Sequence, residues 1–316
     1  MDESSPTELE AADSEDATVI ESASLDAPAN AERRAVSPPK DEDAATSPDP
    51  GAVAQKSGLT KLGEMMLAPF TEFGMLCSLF YESMRWAVRP PFRFRLYLAS
   101  LDFIGVGSIF IVGLTGLFTG MVLGLQLVDS LRDFSAESQA GAIVGLGLSR
   151  EIAPVFTALM VSSRAGSAIT TELGSMRVTQ QIDALEVLAV NPVQYLVVPR
   201  LIAGFIMVPV LTVFFDIVGI FGAWAVGTGM MGVDGGIFLA RMQWMVDWPD
   251  VLQGMVKGAV FGVVLTLVAC RQGFFASGGA AGVGQATNRS VVHNAIVILA
   301  VDYLITVLWL GGSGVP

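Results

Sequence analysis

The chain has 316 residues, of which 52% are hydrophobic and only 15% are charged, whereas soluble domains carry about 25% charged residues. This composition favours a polytopic membrane protein over a soluble domain. The net charge of -12 is concentrated at the start, because residues 1–50 hold 14 acidic residues against Arg33, Arg34 and Lys40, a net of -11 that leaves only -1 for the rest.

Histidine and cysteine are too scarce to build most catalytic or metal centres. His293 is the only histidine, so an imidazole metal site or a Ser/His/Asp or Cys/His triad would depend on it alone. Cys77 and Cys270 lie in a flanking segment and in an apolar run, which predicts no disulfide framework. We therefore expect no catalytic residue and no metal site in this chain.

Residues 1–57 are rich in Ala, Ser, Pro, Asp and Glu and nearly free of aromatic residues. Such a composition cannot bury enough apolar area to offset the entropy of ordering, and it predicts a disordered acidic tail. The segment has neither the basic start and apolar core of a signal peptide nor the Arg-rich character of a transit peptide. We expect it to stay on the mature chain.

The next segment, residues 58–98, mixes bulky apolar residues with charges, as in "LGEMMLAPFTEFGMLCSLFYESMRWAVRPPFRFRLYL". Pro90 and Pro91 divide it. A basic, aromatic and amphipathic segment of this kind tends to lie in the headgroup region of a membrane. It predicts interfacial N-terminal helices, with a soluble helix packed on a neighbour as the alternative. Its basic residues include Arg85, Arg89, Arg93 and Arg95.

Five long apolar segments follow, each near the ~20 residues that a helix needs to cross ~30 Å of hydrocarbon. They predict an all-α membrane protein with about five transmembrane helices. The predicted spans cover approximately residues 102–128, 139–171, 198–226, 250–273 and 290–311.

Lys and Arg residues alternate between rich and poor flanks of these spans. Since cytoplasmic flanks carry the excess of basic residues, this pattern predicts a cytoplasmic N-terminus and an external C-terminus. The richer flanks hold Lys56, Lys61 and the four arginines named above, then Arg177 and Arg200, then Arg271 and Arg289, whereas the poorer ones hold only Arg132 and Arg241.

Glycines recur at intervals of four in two of the spans. Small residues along one helical stripe let membrane helices approach closely, although glycine is also generally commoner in membrane helices. We predict two packing faces from this spacing. They comprise Gly116, Gly120 and Gly124 in the first span and Gly254, Gly258 and Gly262 in the fourth.

Several charged residues fall within the predicted spans, where a charge costs at least ~2.5 kcal/mol. Arg150 and Glu151 lie just before Pro154 in the second span. Three interpretations stay open: a buried ion-pair network, a polar substrate cavity, or a proton relay. The other charges are Asp216, Lys257 and Asp302 in the third, fourth and fifth spans.

The polar stretch "SSRAGSAITTELGSMRVTQQIDALEVLAVNP" separates the second and third spans. Its later part places apolar residues on one helical stripe and polar residues opposite, and Asn191-Pro192 then ends the pattern. We predict an amphipathic helix of about three turns on the cytoplasmic side, resting on the membrane or inserted into a partner's groove. The stripe comprises Val178, Ile182, Leu185 and Ala189, opposite Thr179, Gln180, Asp183 and Glu186.

The stretch "REIAPVFTALMVSSRAGSAITTELGSMRVTQQIDALEVLAVNP", followed by "PRLIAGFIMVPVLTVFFDIVGIFGAW", closely resembles the MlaE/YrbE family of permeases. These are the membrane subunits of ABC lipid transporters that work with MCE proteins. The resemblance continues through "MVDWPDVLQGMVKGAVFGVV" and "GQATNRSVVHNAIVILAVDYLITVL", covering roughly residues 95–311. It implies that residues 99–316 form the permease domain.

The resemblance also implies a set of partners. The chain is expected to form a homodimer in the bacterial inner membrane, with a periplasmic C-terminus, two cytoplasmic ABC ATPases and a hexameric periplasmic MCE ring. In many such systems a small STAS-domain protein binds the ATPase. The implied substrate is a phospholipid moved between the inner and outer membranes. No cofactor is expected on this chain, because ATP and Mg bind the ATPase, and no nucleic-acid partner is expected.

The resemblance finally implies roles for individual residues. The amphipathic helix, about Thr179 to Val190, corresponds to the coupling helix that contacts the ATPase, which implicates Thr179, Gln180, Ile182, Asp183, Leu185 and Glu186. Polar residues in the cavity or gating region are Glu172, Asp250, Lys257 and Asp302. Two other functions stay open at this point: a stand-alone ion- or proton-coupled transporter using the buried carboxylates, and a membrane anchor for an MCE ring.

Overall fold

The computed structural model describes residues 74–87, 89 and 93–312, and within them the chain forms eight helices and no strand. The predicted tail over residues 1–57 lies outside the described residues, and so do residues 58–73 of the predicted interfacial segment. The helices are α1 (residues 74–87), α2 (Phe94–Arg132), α3 (Glu137–Val178), α4 (Gln181–Val187), α5 (Val193–Gly229), α6 (Gly235–Met245), α7 (Trp248–Phe274) and α8 (Gly279–Gly312).

Helices α2, α3, α5, α7 and α8 are the five within the described residues that are long and apolar enough to cross a membrane. The predicted all-α membrane fold is therefore confirmed. The helices extend beyond the predicted spans; α8, for example, begins at Gly279 rather than at residue 290. Hydropathy marks only the part of a helix that is apolar, whereas the helix itself continues through polar turns.

The two ends of the bundle are distinguished by their short helices. We call the end that carries α4 the Gln181 end and the end that carries α6 the Gly235 end. At the Gly235 end, the Asp234 side chain accepts a hydrogen bond from the Ile237 amide (2.8 Å) and so caps α6. Asp247 and Asp250 form a capping box at the start of α7, which satisfies amide groups that a helix start leaves unpaired.

The first glycine stripe lies at the contact between α2 and α5. Gly116, Gly120 and Gly124 are buried, and a Cβ atom on Gly120 would overlap the carbonyl of Gly219. The second stripe has two neighbours: Gly254 faces Ser149 of α3, and Gly262 faces Gly204 of α5. These contacts bring α2 and α7 against opposite parts of α5 and hold α7 on α3.

Helix α3 widens at two places that carry charged residues. Leu148–Ile152 and Ser162–Gly166 form π-helical turns. Pro154 follows the first of them and has no N–H for the carbonyl of Arg150, so the regular ladder is interrupted there. The wide turn carries Arg150 and Glu151 side by side at the contact with α7.

The predicted interfacial segment differs from the observed helices at its end. Residues 74–87 form a separate helix, α1, but Phe94–Leu101 already belong to the continuous first spanning helix. Pro90 and Pro91, which were expected to divide the segment, lie between these two helices in the sequence but outside the described residues.

Candidate functional site

Lys257 on α7 lies at the centre of a buried polar cluster, which we call the Lys257 network. Its side chain is 0% exposed, and its Nζ atom lies 2.6 Å from Glu151 Oε2 and 2.8 Å from Asp302 Oδ1. Nζ also donates a hydrogen bond to Thr306 Oγ1 at 2.7 Å. The cluster joins α3, α7 and α8, so three spanning helices converge on a single ammonium group.

A second ion pair lies beside this network, between α3 and α7. The Arg150 guanidinium approaches Asp250 Oδ1 through Nη2 (2.6 Å) and Nε (2.8 Å). Asp250 Oδ2 accepts a hydrogen bond from the Asp247 amide at 3.0 Å. Asp250 therefore both caps α7 and fixes it to the wide turn of α3.

The carboxylate of Glu151 is not sealed inside the bundle. Its side chain is 42% exposed although its partner Lys257 is fully buried. A carboxylate at membrane depth is too costly to face lipid, so this face of the bundle must border water or another protein chain. Asp216 on α5 is also buried, but it forms no ion pair among the described residues.

Glu172 lies at the Gln181 end, away from the Lys257 network with which the sequence had grouped it. Its Oε2 atom is 2.8 Å from Nη2 of Arg200, which joins the end of α3 to the start of α5. Both residues line a cavity of about 360 Å³ that also borders Ser100 and Tyr195. The predicted cavity residues are thus divided between two places in the fold.

The predicted amphipathic helix is shorter than expected. Helix α4 has seven residues, Gln181–Val187, and Gln180 before it has a left-handed backbone with φ of 60°. The prediction of a single three-turn helix was therefore wrong: Thr179 and Gln180 lie in the turn before α4, and Val178 is the last residue of α3. Ion pairing between Arg177 and Asp183 (2.5 Å) spans this turn.

The turn changes which apolar residues of the loop are available to a partner. Ile182 is buried against the protein's own core, and Leu185 packs on the same cluster. In contrast, Val187 is 87% exposed and Leu188 is 71% exposed. The sequence missed these two residues because it took the apolar stripe through Ile182 and Leu185 as the surface for a partner, whereas that stripe packs on the chain's own core.

The segment after α4 is anchored to the start of the first span. Asn191 Oδ1 accepts hydrogen bonds from the amides of Val193 (2.9 Å) and Gln194 (3.1 Å) and so caps α5. Gln194 Nε2 donates to the Arg89 carbonyl at 2.8 Å, and the Arg93 guanidinium lies over the Tyr195 ring at 5.0 Å. A displacement of α4 would therefore also displace the ends of α2, α3 and α5 that these contacts connect to it.

A family model described as "Permease MlaE" matches residues 97–308. The chain belongs to the MlaE permease family. It is 39% identical over 256 residues to the intermembrane phospholipid transport system permease protein MlaE of Haemophilus influenzae, covering 81% of this chain and 98% of that protein. The resemblance found in the sequence is thereby confirmed.

Other relatives of this MlaE-family permease extend the comparison. It is 40% identical over 222 residues to a probable ABC transporter permease protein of Rickettsia bellii, covering 70% of this chain and 86% of the relative. It is 32% identical over 227 residues to the chloroplastic protein TRIGALACTOSYLDIACYLGLYCEROL 1 of Arabidopsis thaliana, covering 72% of this chain and 65% of that protein. Together with the five spanning helices, these findings identify a multi-pass inner-membrane permease subunit of the ABC-transporter type.

Proposed function

We propose that this permease moves phospholipids between the inner and outer membranes, using ATP hydrolysed by a separate ABC ATPase. The observation that carries the proposal is the family membership over residues 97–308, joined to the name of the Haemophilus influenzae relative as a phospholipid transport permease. The chain itself acts as a transport subunit and not as an enzyme. ATP and Mg would be bound by the ATPase.

The proposed topology places the Gln181 end in the cytoplasm and the Gly235 end in the periplasm. Basic residues support it, because Arg89, Arg93, Arg177 and Arg200 cluster at the Gln181 end and cytoplasmic flanks are enriched in Lys and Arg. In this orientation the N-terminus is cytoplasmic and the C-terminus periplasmic. A periplasmic MCE ring would then receive lipid at the Gly235 end, and a STAS-domain protein would bind the ATPase.

The ATPase contact is proposed at α4, in the role of coupling helix. Val187 and Leu188 form an exposed apolar pair of the kind that inserts into a groove on a partner. The Arg177–Asp183 ion pair connects this helix to α3, and the Glu172–Arg200 ion pair connects α3 to α5. A movement of the ATPase would thus be passed to two spanning helices as a rigid displacement.

The lipid path is proposed on the face that exposes Glu151. This face contains the Lys257 network, in which the Glu151 side chain is 42% exposed although it is paired, so the space beside it must be polar. Two copies of the chain related by a twofold axis would enclose such a space between them. The Lys257 network of each copy would line it with polar groups. Movement of α3 relative to α7 would change the network and so the shape of the cavity.

The coupling-helix assignment is tested by changing both exposed apolar residues, Val187→Asp with Leu188→Asp, in the full chain. We expect the ATPase to be lost from the detergent-purified complex, because charged side chains cannot enter an apolar groove. Met230→Asp is the matched control, since Met230 is 73% exposed at the opposite end. An ATPase that stays bound through the double change would refute the assignment.

The energy source needs a separate measurement in reconstituted vesicles. We expect lipid transfer to require ATP and the ATPase, and to be insensitive to a proton gradient imposed without ATP. Transfer that follows the proton gradient in the absence of the ATPase would instead establish a stand-alone, proton-coupled transporter. Absence of transfer with a stably bound MCE ring would indicate an anchor.

A further inference from the structure

A second cavity lies on the side of the bundle where α1 crosses α7 and α8. Its volume is about 510 Å³, within the range of small-molecule sites. Its walls are almost wholly apolar: α1 contributes Leu76 and Phe80, α7 contributes Val264 and Leu267, and α8 contributes Val297 and Val301. We call it the α1 groove. The Lys257 network contributes none of its lining residues.

The polar lining of the α1 groove is confined to one end. Arg271 and Gln272 are near the last turn of α7, and His293 faces them from α8. Gln272 Nε2 and His293 Nδ1 are hydrogen-bonded at 3.0 Å, while Arg271 Nη2 contacts Met75 Sδ of α1 at 3.4 Å. Arg271 thus places a positive charge at the polar end of the groove, and a guanidinium is complementary to a phosphate group.

The length of the groove matches one leaflet of a bilayer. Val263 and Gln272 mark its extent along α7, and nine residues of helix rise about 14 Å. Half of the ~30 Å hydrocarbon core is about 15 Å. The polar end is at the Gln181 end of the bundle, where a headgroup would be, and the apolar walls run from there toward the middle of the membrane.

We propose that the α1 groove is a binding site for a glycerophospholipid, with the phosphate at Arg271 and His293 and one acyl chain along α7 and α8. Three features select this occupant: an apolar channel one leaflet deep, polar donors only at its headgroup end, and a cation complementary to a phosphate. Helix α1 covers the chain as a lid of Leu76 and Phe80. That the leaflet is the cytoplasmic one rests on the topology proposed above.

The site is tested with the full-length complex in nanodiscs of phosphatidylethanolamine, doped with a phosphatidylglycerol that carries a photoreactive diazirine midway along one acyl chain. We expect cross-linked peptides from residues 263–268 and 296–301. Val297→Trp fills the groove and should abolish these products, whereas Val292→Trp, a change at a 51% exposed position of α8 outside the lining, should leave them unchanged.

Headgroup recognition is tested by competition in the same nanodiscs. Unlabelled phosphatidylglycerol should displace the probe at a concentration roughly tenfold lower than diacylglycerol, because a charge-assisted hydrogen bond to phosphate is lost in the latter. Equal competition would overturn the assignment of the phosphate end. Labelling that is unchanged in Val297→Trp, or as strong around Phe110 on α2, would overturn the site as a whole.

Two further readouts separate this proposal from neighbouring ones. Cross-links between two copies of the chain through the lining residues Val297 and Val301 would identify the groove as a protein interface and overturn the lipid site. Co-purification of the ATPase should be equal in Val297→Trp and in the unchanged chain. A failure of the lipid site with the ATPase still bound would therefore leave the proposed transport function intact.

Discussion

Lys257 is the residue on which the buried charges of the bundle depend. It is fully buried, and the carboxylates of Glu151 and Asp302 both approach its ammonium group within 2.8 Å. Removing one member of a buried ion pair costs ~3–5 kcal/mol, because the partner's charge stays buried without compensation. Here a single change would leave two carboxylates facing each other.

We expect Lys257→Met to lower the free energy of unfolding by ~3–5 kcal/mol. The triple variant Lys257→Met, Glu151→Gln, Asp302→Asn should regain most of that stability and still fail to move lipid. Stability can be followed in detergent through thiol labelling of Cys270, which is buried, in a Cys77→Ser background. Normal lipid transfer by the triple variant would show that the Lys257 network stabilises the protein but has no role in transport.

The ion pair between Glu172 and Arg200 is of a different kind, because Glu172 is 56% exposed and the pair contributes little to stability. We expect Glu172→Gln and Arg200→Gln each to raise the number of ATP molecules hydrolysed per lipid moved. The double variant should be no worse than either single one, since both changes break the same link. Effects that simply add would show that the two residues act independently.

The division of these residues could not be predicted from the sequence. Glu172 is a single charge at the border of an apolar segment and Lys257 a single charge within one, and nothing in the sequence gives the distance between helices. The pairing of Glu172 with Arg200 depends on how α3 and α5 cross, and that of Lys257 with Glu151 depends on the wide turn before Pro154. A charged residue in a span is predicted to be shielded from lipid, but the sequence does not show which residue lies beside it.

At the level of helices, the contact between α2 and α5 depends on the absence of side chains. A Cβ atom on Gly120 would overlap the Gly219 carbonyl, and one on Gly124 would lie 2.8 Å from the Ala223 carbonyl. Since two helix backbones touch here, neither can yield without shifting a whole element. Close contact of this kind must supply the packing energy that the hydrophobic effect does not provide inside a membrane.

We expect Gly120→Ala to destabilise the protein by ~1–3 kcal/mol through overpacking. Gly147→Ala on α3 is the matched control, because a Cβ atom there meets nothing within 4 Å. That control should be neutral or slightly stabilising, by up to ~1 kcal/mol, as alanine favours the helix. Equal thermal unfolding temperatures for the two variants would argue against a tight α2–α5 contact.

The elements themselves could be predicted to different degrees. Five spans follow from apolar length, and the glycine stripes follow from a spacing of four, because both are local properties of a helix. Helix α4 was less predictable: the left-handed residue Gln180 rotates everything after it relative to α3. The apolar stripe from Val178 to Ala189 assumed a continuous helix that presents this stripe to a partner. Its member Ile182 is instead buried in the chain's own core, whereas Leu188, outside the stripe, is exposed.

The spanning helices of the molecule differ in how much of their surface is buried against the rest of the protein. In the most apolar window of α7 56% of residues are buried, but in the corresponding window of α8 only 11% are. Lipid can cover apolar side chains of α8, such as Leu299 and Tyr303, but it cannot cover the partly exposed carboxylate of Glu151 that is paired beside Asp302. The face shared by α8 and the Lys257 network therefore favours a contact between two copies over lipid.

A twofold axis near this face predicts self-contact of residues on α8. In a Cys77→Ser background, Tyr303→Cys and Leu299→Cys should form disulfide-linked dimers under mild oxidation in nanodiscs, because each residue would approach its own copy across the axis. Phe110→Cys on α2 is the control, since Phe110 is 80% exposed and α2 contributes no residue to the Lys257 network. Cross-linking through Phe110 in place of both α8 positions would move the axis to α2 and leave Glu151 facing something other than a second copy.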